Sequence, residues 1–129
     1  MNRTKVRAKT VIDNTGKILE IPILLVERHG ESIPLWSLHT YLVKKHNMSK
    51  TKQDRLFQAI GLLLDYIEAN ISIFKEPKEL FASFSQALYS GTINEKGDDP
   101  SELYWLPKRI LTMNHLLYEL STFSDWMHQ

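Results

Sequence analysis

The hydrophobic pattern has two periods. Up to residue 33, apolar positions come in short runs broken by turn-forming residues. From Ile33 onward they recur every three or four positions, the spacing of a helix face. The stretch from Val11 to Ile18 encloses Asp13-Asn14-Thr15-Gly16, a turn signal because Asn and Gly accept positive φ. The run Ile18 to Val26 is rich in β-branched residues, but Pro22 has no ladder donor. It therefore predicts an edge strand or an interrupted one. Arg28-His29-Gly30 reads as a second turn, so a short hairpin or extended arm is expected over 1–33.

Four helices are expected over 34–129. Pro34 suits a first helical turn, and Leu35, Leu38, Tyr41 and Leu42 make one stripe that ends at Lys44-Lys45-His46-Asn47, with Asn47 as a left-handed stop. Ser49 or Thr51 caps a second helix whose face is Leu56, Ile60, Leu63 and Ile67, widened by Phe57 and Leu64 and ending near Ala69-Asn70. A third begins near Pro77, buries Leu80, Phe81, Phe84, Ala87 and Leu88, and stops at Ser90-Gly91. The segment from Thr92 to Ser101 reads as a polar loop with nothing to give the core, and Asp98-Asp99 as a solvated turn. Leu103-Tyr104-Trp105-Leu106 returns to the core. Pro107 opens a fourth helix with Ile110, Met113, Leu117, Leu120 and Phe123 along its stripe, reaching Trp126. The fold class this predicts is mainly α, a four-helix bundle behind a short β arm.

Composition adds little to that picture and charge adds more. The 129 residues suit one domain with a real core, and the absence of cysteine fits a reducing, cytoplasmic setting. No apolar run approaches the ~18 residues of a membrane helix, and the basic start leads into no signal sequence. The net charge of +1 is unevenly spread: residues 1–10 carry +4, 11–40 carry −2, 41–60 carry +4, 61–106 carry −5 and the rest is neutral. Basic islands in an otherwise acidic chain are what one-sided contact with a polyanion requires.

Candidate chemistry is sparse. The histidines at 29, 39, 46, 115 and 128 include no i, i+4 pair for a metal and read as surface or capping residues. No phosphate-cradling glycine motif, nucleophile elbow or Ser/His/Asp grouping is present, so neither cofactor nor metal is expected. Trp36, Trp105, Trp126, Phe57, Phe81, Phe84 and Phe123 fall at core spacing rather than as a stacking platform. The remaining candidates are Lys44, Lys45, Lys50, Lys52 and Arg55 around the second helix start, with Lys108 and Arg109 at the fourth. Cations in a first turn oppose the helix dipole, a placement that suits an anionic partner better than the helix itself.

The segment from Arg109 to Met127 resembles the last helix of the core-binding domain of tyrosine recombinases, where a helix of the form R-x3-L-x-x-L-x-x-F-x-x-W precedes the linker to the catalytic domain. Ser49-Lys50-Thr51 before a long helix resembles that family's S-x-T helix start. Ala87-Leu88-Tyr89-Ser90-Gly91-Thr92 and Tyr104-Trp105-Leu106-Pro107 look like phrases of integrases from mobile genomic islands. The likeness covers roughly 34–127. It departs from the family at Arg55, where a Tyr is usual, and it leaves the first 33 residues unexplained.

The resemblance implies a SAM-like domain that clamps double-stranded DNA and self-associates in a recombination complex. The second and fourth helices would face DNA, with Lys50, Thr51, Lys52, Arg55, Lys108 and Arg109 on phosphates and Asn114 or His115 toward base edges. The family's catalytic Arg, Lys, His and Tyr belong to a following domain. This chain is therefore expected to be non-catalytic and to stop at a domain boundary, and none of its own tyrosines is read as a nucleophile. The alternative is a helical protein–protein interaction module using an apolar patch near Tyr104-Trp105 or Trp126.

Overall fold

Arg28 and Glu31 are joined by His29 and Gly30 with φ of 53° and 79°, the paired positive values of a tight type I′ hairpin turn. This turn and the loop at 12–17 fold the first third of the chain into an antiparallel sheet. The computed structural model describes residues 2–70 and 76–128, and the outermost positions of the predicted segments, 1 and 129, lie outside them together with 71–75. The sheet contains β1 (Asn2–Val11), β2 (Ile18–Arg28) and β3 (Glu31–Pro34) in the order β1-β2-β3. Four helices follow: α1 (Trp36–Lys44), α2 (Lys50–Ala69), α3 (Pro77–Ser90) and α4 (Ile110–Met127).

The expectation of a mainly α chain, a SAM-like four-helix bundle with a short arm, is therefore corrected to a mixed α/β fold. The strands run to 10, 11 and 4 residues, and β2 contributes the buried Ile21, Leu24 and Val26. By the two-residue period, Leu24 and Val26 share one face and Ile21 lies on the other. Burial on both faces explains why β2 reads as a continuous apolar run rather than an alternation.

Pro22 does not interrupt β2, for a geometric reason. The Pro22 carbonyl accepts a hydrogen bond from His39 Nδ1–H at 3.2 Å, and the Leu24 carbonyl accepts one from the Leu35 N–H at 2.9 Å. Even-numbered residues of β2 thus turn their backbone polar groups away from β1 and toward α1. The missing N–H of Pro22 falls on that side, so the β1 ladder loses nothing, and pairing continues from Asn2↔Glu27 to Val11↔Ile18. β3 pairs only with Leu25 to Arg28, which leaves the Pro22 edge of β2 free of a strand on that side.

Two compact units make up the chain: 1–53 with 122–129, and 54–121. In the first, α1 buries Leu38, Tyr41 and Leu42 at i, i+3, i+4 spacing, and the Tyr41 ring meets Phe123 at 5.0 Å and Trp126 at 5.2 Å. In the second, Leu56, Ala59, Ile60, Phe84, Leu88, Leu116 and Leu120 are buried, and Tyr66, Phe84 and Trp105 form a ring cluster with centroids 5.7–6.1 Å apart.

Several boundaries and burial expectations shift. Pro34 closes β3 instead of opening α1, because its register partner is Leu25. Asn47 is not left-handed, and α1 ends through the Lys45 N–H on the Tyr41 carbonyl. Lys108 and Arg109 precede α4: the Arg109 carbonyl accepts the first helical bond, from Met113 N–H at 2.9 Å. Trp36, Phe81 and Ile110, expected in the core, are exposed, whereas α4 buries Leu120 and Phe123 as expected and Leu116 and Glu119 besides. Ser49 does cap α2, with its hydroxyl accepting the Lys52 N–H at 3.3 Å. α3 starts at Pro77 and stops at Gly91, as the pattern predicts. Among the described residues, no helix is long and apolar enough to cross a membrane.

Candidate nucleic-acid interface

A chain with a net charge of +1 can still present a strongly basic body if the fold sorts its charges. Unit 1 contains ten Lys and Arg against five Asp and Glu, a formal +5. Unit 2 contains six against ten, a formal −4. The near-neutral total conceals one basic and one acidic body.

The sequence-predicted residues divide between the two. In unit 1, Lys44 and Lys45 end α1, and Lys50, Thr51 and Lys52 form the first turn of α2, all exposed. No acidic residue occupies that first turn, so the inversion relative to the helix dipole is real in α2. In unit 2 are Arg55 (half-buried on α2), Lys108 (half-buried) and Arg109 (exposed) ahead of α4, and on α4 the exposed Asn114 and half-buried His115. Asn114 lies opposite the face that buries Leu116, and His115 lies at its flank.

The basic island of residues 1–10 forms a further row. Arg3, Lys5, Arg7 and Lys9 alternate with Thr4, Val6, Ala8 and Thr10 along β1, so the pleat sends all four cations to one face. Each is exposed, at steps of about 6.7 Å along an edge strand. Arg7 Nη1 reaches Glu20 Oε2 at 3.4 Å, but both side chains are largely exposed and such a pair holds weakly. Strict alternation of Lys or Arg with small or β-branched residues is the signal that finds this row in sequence.

The loop from 91 to 109 is organised by a carboxylate that sequence alone placed in solvent. Asp98 is exposed, whereas Asp99 is only 5% exposed. Asp99 Oδ1 accepts the Ser101 N–H at 2.8 Å and the Ser101 hydroxyl at 2.6 Å. Its Oδ2 accepts the Tyr104 N–H at 2.8 Å and the Thr92 hydroxyl. Burial raises the pKa of this group, but the donors from Ser101, Thr92 and the Tyr104 backbone outweigh it and hold the pKa at about 2. The Thr92 oxygen also accepts the Trp105 N–H at 2.9 Å. Gly91 has φ of 77°, and a Cβ there would lie 2.6 Å from the Trp105 carbonyl oxygen, so only glycine lets α3 end against this loop.

These anchors fix an in–out alternation. The Trp105 ring turns in against Tyr66 and Phe84, while Tyr104 (53% exposed) and Leu106 (73% exposed) turn outward. Tyr104 itself is held at φ 53°, a conformation a bulky side chain rarely adopts without support. Beside it opens a groove of about 470 Å³, bounded by Leu62, Tyr104, Leu106, Pro107, Lys108 and Arg109 among others. Among the described residues no group of three or more His, Cys, Asp or Glu converges as a metal site would require. Compared with known proteins, the chain matches no family model, no curated protein and no solved structure.

Proposed function

We propose that the chain is a non-catalytic domain that binds double-stranded DNA, of the kind that clamps the duplex in tyrosine recombinases, and that it works in the cytoplasm. One observation carries the reading: ten of the sixteen cations lie in a unit of formal charge +5, eight of them on the exposed β1 row and around the α1–α2 turn. A body of that charge displaces counterions from a polyphosphate, which gives affinity without sequence preference. Phosphate contacts of this kind position a protein on DNA, and self-association in a recombination complex would add specificity.

The test is salt-titrated anisotropy with a labelled duplex. Reversing Lys44 and Lys52 to Glu weakens binding and lowers the log–log salt slope by up to about 2, near 0.9 per lost phosphate contact. Reversing Glu76 and Glu79 to Lys does not weaken it. Equal affinity for the two double variants overturns the reading. The recombinase part has its own test in the coding sequence beyond residue 129. A frame that continues into a domain with the family's catalytic Arg and Tyr supports it, and a frame that lacks one counts against it.

A second reading, a protein-interaction module, draws on the exposed Tyr104, Leu106, Ile110 and Leu111 of unit 2. Salt-insensitive self-association without DNA binding would favour it.

A further inference from the structure

We propose that the groove beside Tyr104 receives an unpaired nucleobase, stacked on the Tyr104 ring, with the adjoining phosphate held by Lys108 and Arg109. The inference rests on the DNA-binding reading and extends it from duplex to locally unpaired strand.

The first support is the way Tyr104 is presented. Its N–H is fixed on Asp99, the next N–H on Thr92, and Lys108 N–H on the Leu88 carbonyl at 2.9 Å. Three backbone anchors in five residues leave the loop little freedom, yet the ring they carry is 53% exposed and the backbone beneath it is left-handed. An aromatic residue in a strained conformation, braced from below and directed outward, is costly to maintain without something for the ring to meet.

The second support is the chemistry of the walls. Leu62, Leu106 and Pro107 offer apolar surface for a flat ring, and Tyr104 offers a π-face, which every base can use. Lys108 and Arg109, at the same groove, supply charge for one phosphate. A base still paired in a duplex keeps its faces covered by its neighbours, so the groove selects a base out of the stack. A purely apolar peptide would leave both cations without a counterpart.

The experiment uses the full chain with a fluorescein-labelled twelve-nucleotide thymidylate and, separately, a labelled duplex. Tyr104→Gly removes the ring while suiting the positive φ, so the fold is retained, and thermal unfolding checks this. Tyr104→Phe keeps the stacking surface. Tyr104→Gly is expected to weaken the single strand about tenfold and Tyr104→Phe to bind as the parent does, with duplex affinity unchanged in both. Single-strand binding equal in Tyr104→Gly and parent overturns the groove proposal while leaving duplex binding intact. Failure of the parent to bind either probe overturns the DNA reading and this inference with it. Self-association that Tyr104→Gly abolishes would assign the groove to protein docking and overturn the proposal.

Discussion

Replacing Asp99 with Asn keeps the shape of the side chain and removes its charge. The ionised carboxylate accepts four hydrogen bonds, two at each oxygen, and its pKa falls from 3.8 to about 2. That shift corresponds to about 2.5 kcal/mol of preference for the folded state when the group is ionised. Because the folded pKa is the lower one, the contribution is complete well above pH 3.8 and disappears as pH falls toward 2. Asn also turns an amide N–H₂ toward donors at one of the two oxygen positions, which adds to the loss. At pH 7 the Asn variant is expected to be less stable by at least about 2.5 kcal/mol, or about 10 °C or more in Tm for a chain of this size. Urea unfolding at pH 7 and at pH 2.5 separates the parts: the gap between parent and variant should narrow by about 1.5 kcal/mol at the lower pH. A gap of the same size at both values would refute the argument, since the loss would then owe nothing to ionisation. A shift under 2 °C at pH 7 would refute it more simply.

Gly91→Ala should cost about 3 kcal/mol by denaturant titration, since it combines a positive φ with a Cβ 2.6 Å from the Trp105 carbonyl oxygen. Gly30→Ala, at φ 79° with open space around it, should cost only about 1 kcal/mol, and equal losses at the two sites would exclude the clash. Phe84→Ala removes a fully buried ring that meets Tyr66 and Trp105, with an expected loss of about 3–5 kcal/mol in the same assay. His39→Ala removes the donor to the Pro22 carbonyl and should cost about 1 kcal/mol, read as a lower urea midpoint with an unchanged slope.

The helical part was legible because it obeys local rules. Pro77 and Gly91 bracket α3, Ser49 precedes α2, and the buried Leu38, Tyr41 and Leu42 lie at the spacing that predicts them. The sheet was underread because the effect of a proline depends on which edge of the strand its nitrogen faces, and nothing near Pro22 in sequence reveals that. Asp99 was misplaced for a related reason. Asp98 and Asp99 are identical in type and adjacent, and only the return of Thr92 and Tyr104 from elsewhere in the loop buries one of them. The stripe of α4 is right at Leu120 and Phe123 but not at Ile110, which is apolar yet exposed, since helical periodicity cannot tell a core face from an uncovered one. At the candidate interface, the cations themselves were legible and the basic row of β1 was available by alternation. Their sorting into a basic and an acidic unit was legible too, since every cation of the basic unit lies within 1–53.

The membership of unit 1 bears on the order in which the chain acquires its structure. Unit 2 is one uninterrupted stretch, so a ribosome delivers all of it before the unit that precedes it can be finished. Tyr41 is made early, but Phe123 and Trp126, the rings it packs against, emerge only after the whole of 54–121. The basic sheet and α1 must therefore wait, partly uncovered, while the acidic segment is synthesised and able to fold. An arrest placed before Thr122 would trap that intermediate. Its protease sensitivity within 1–53, lost once residues 122–129 are released, would show that this unit sets after 54–121.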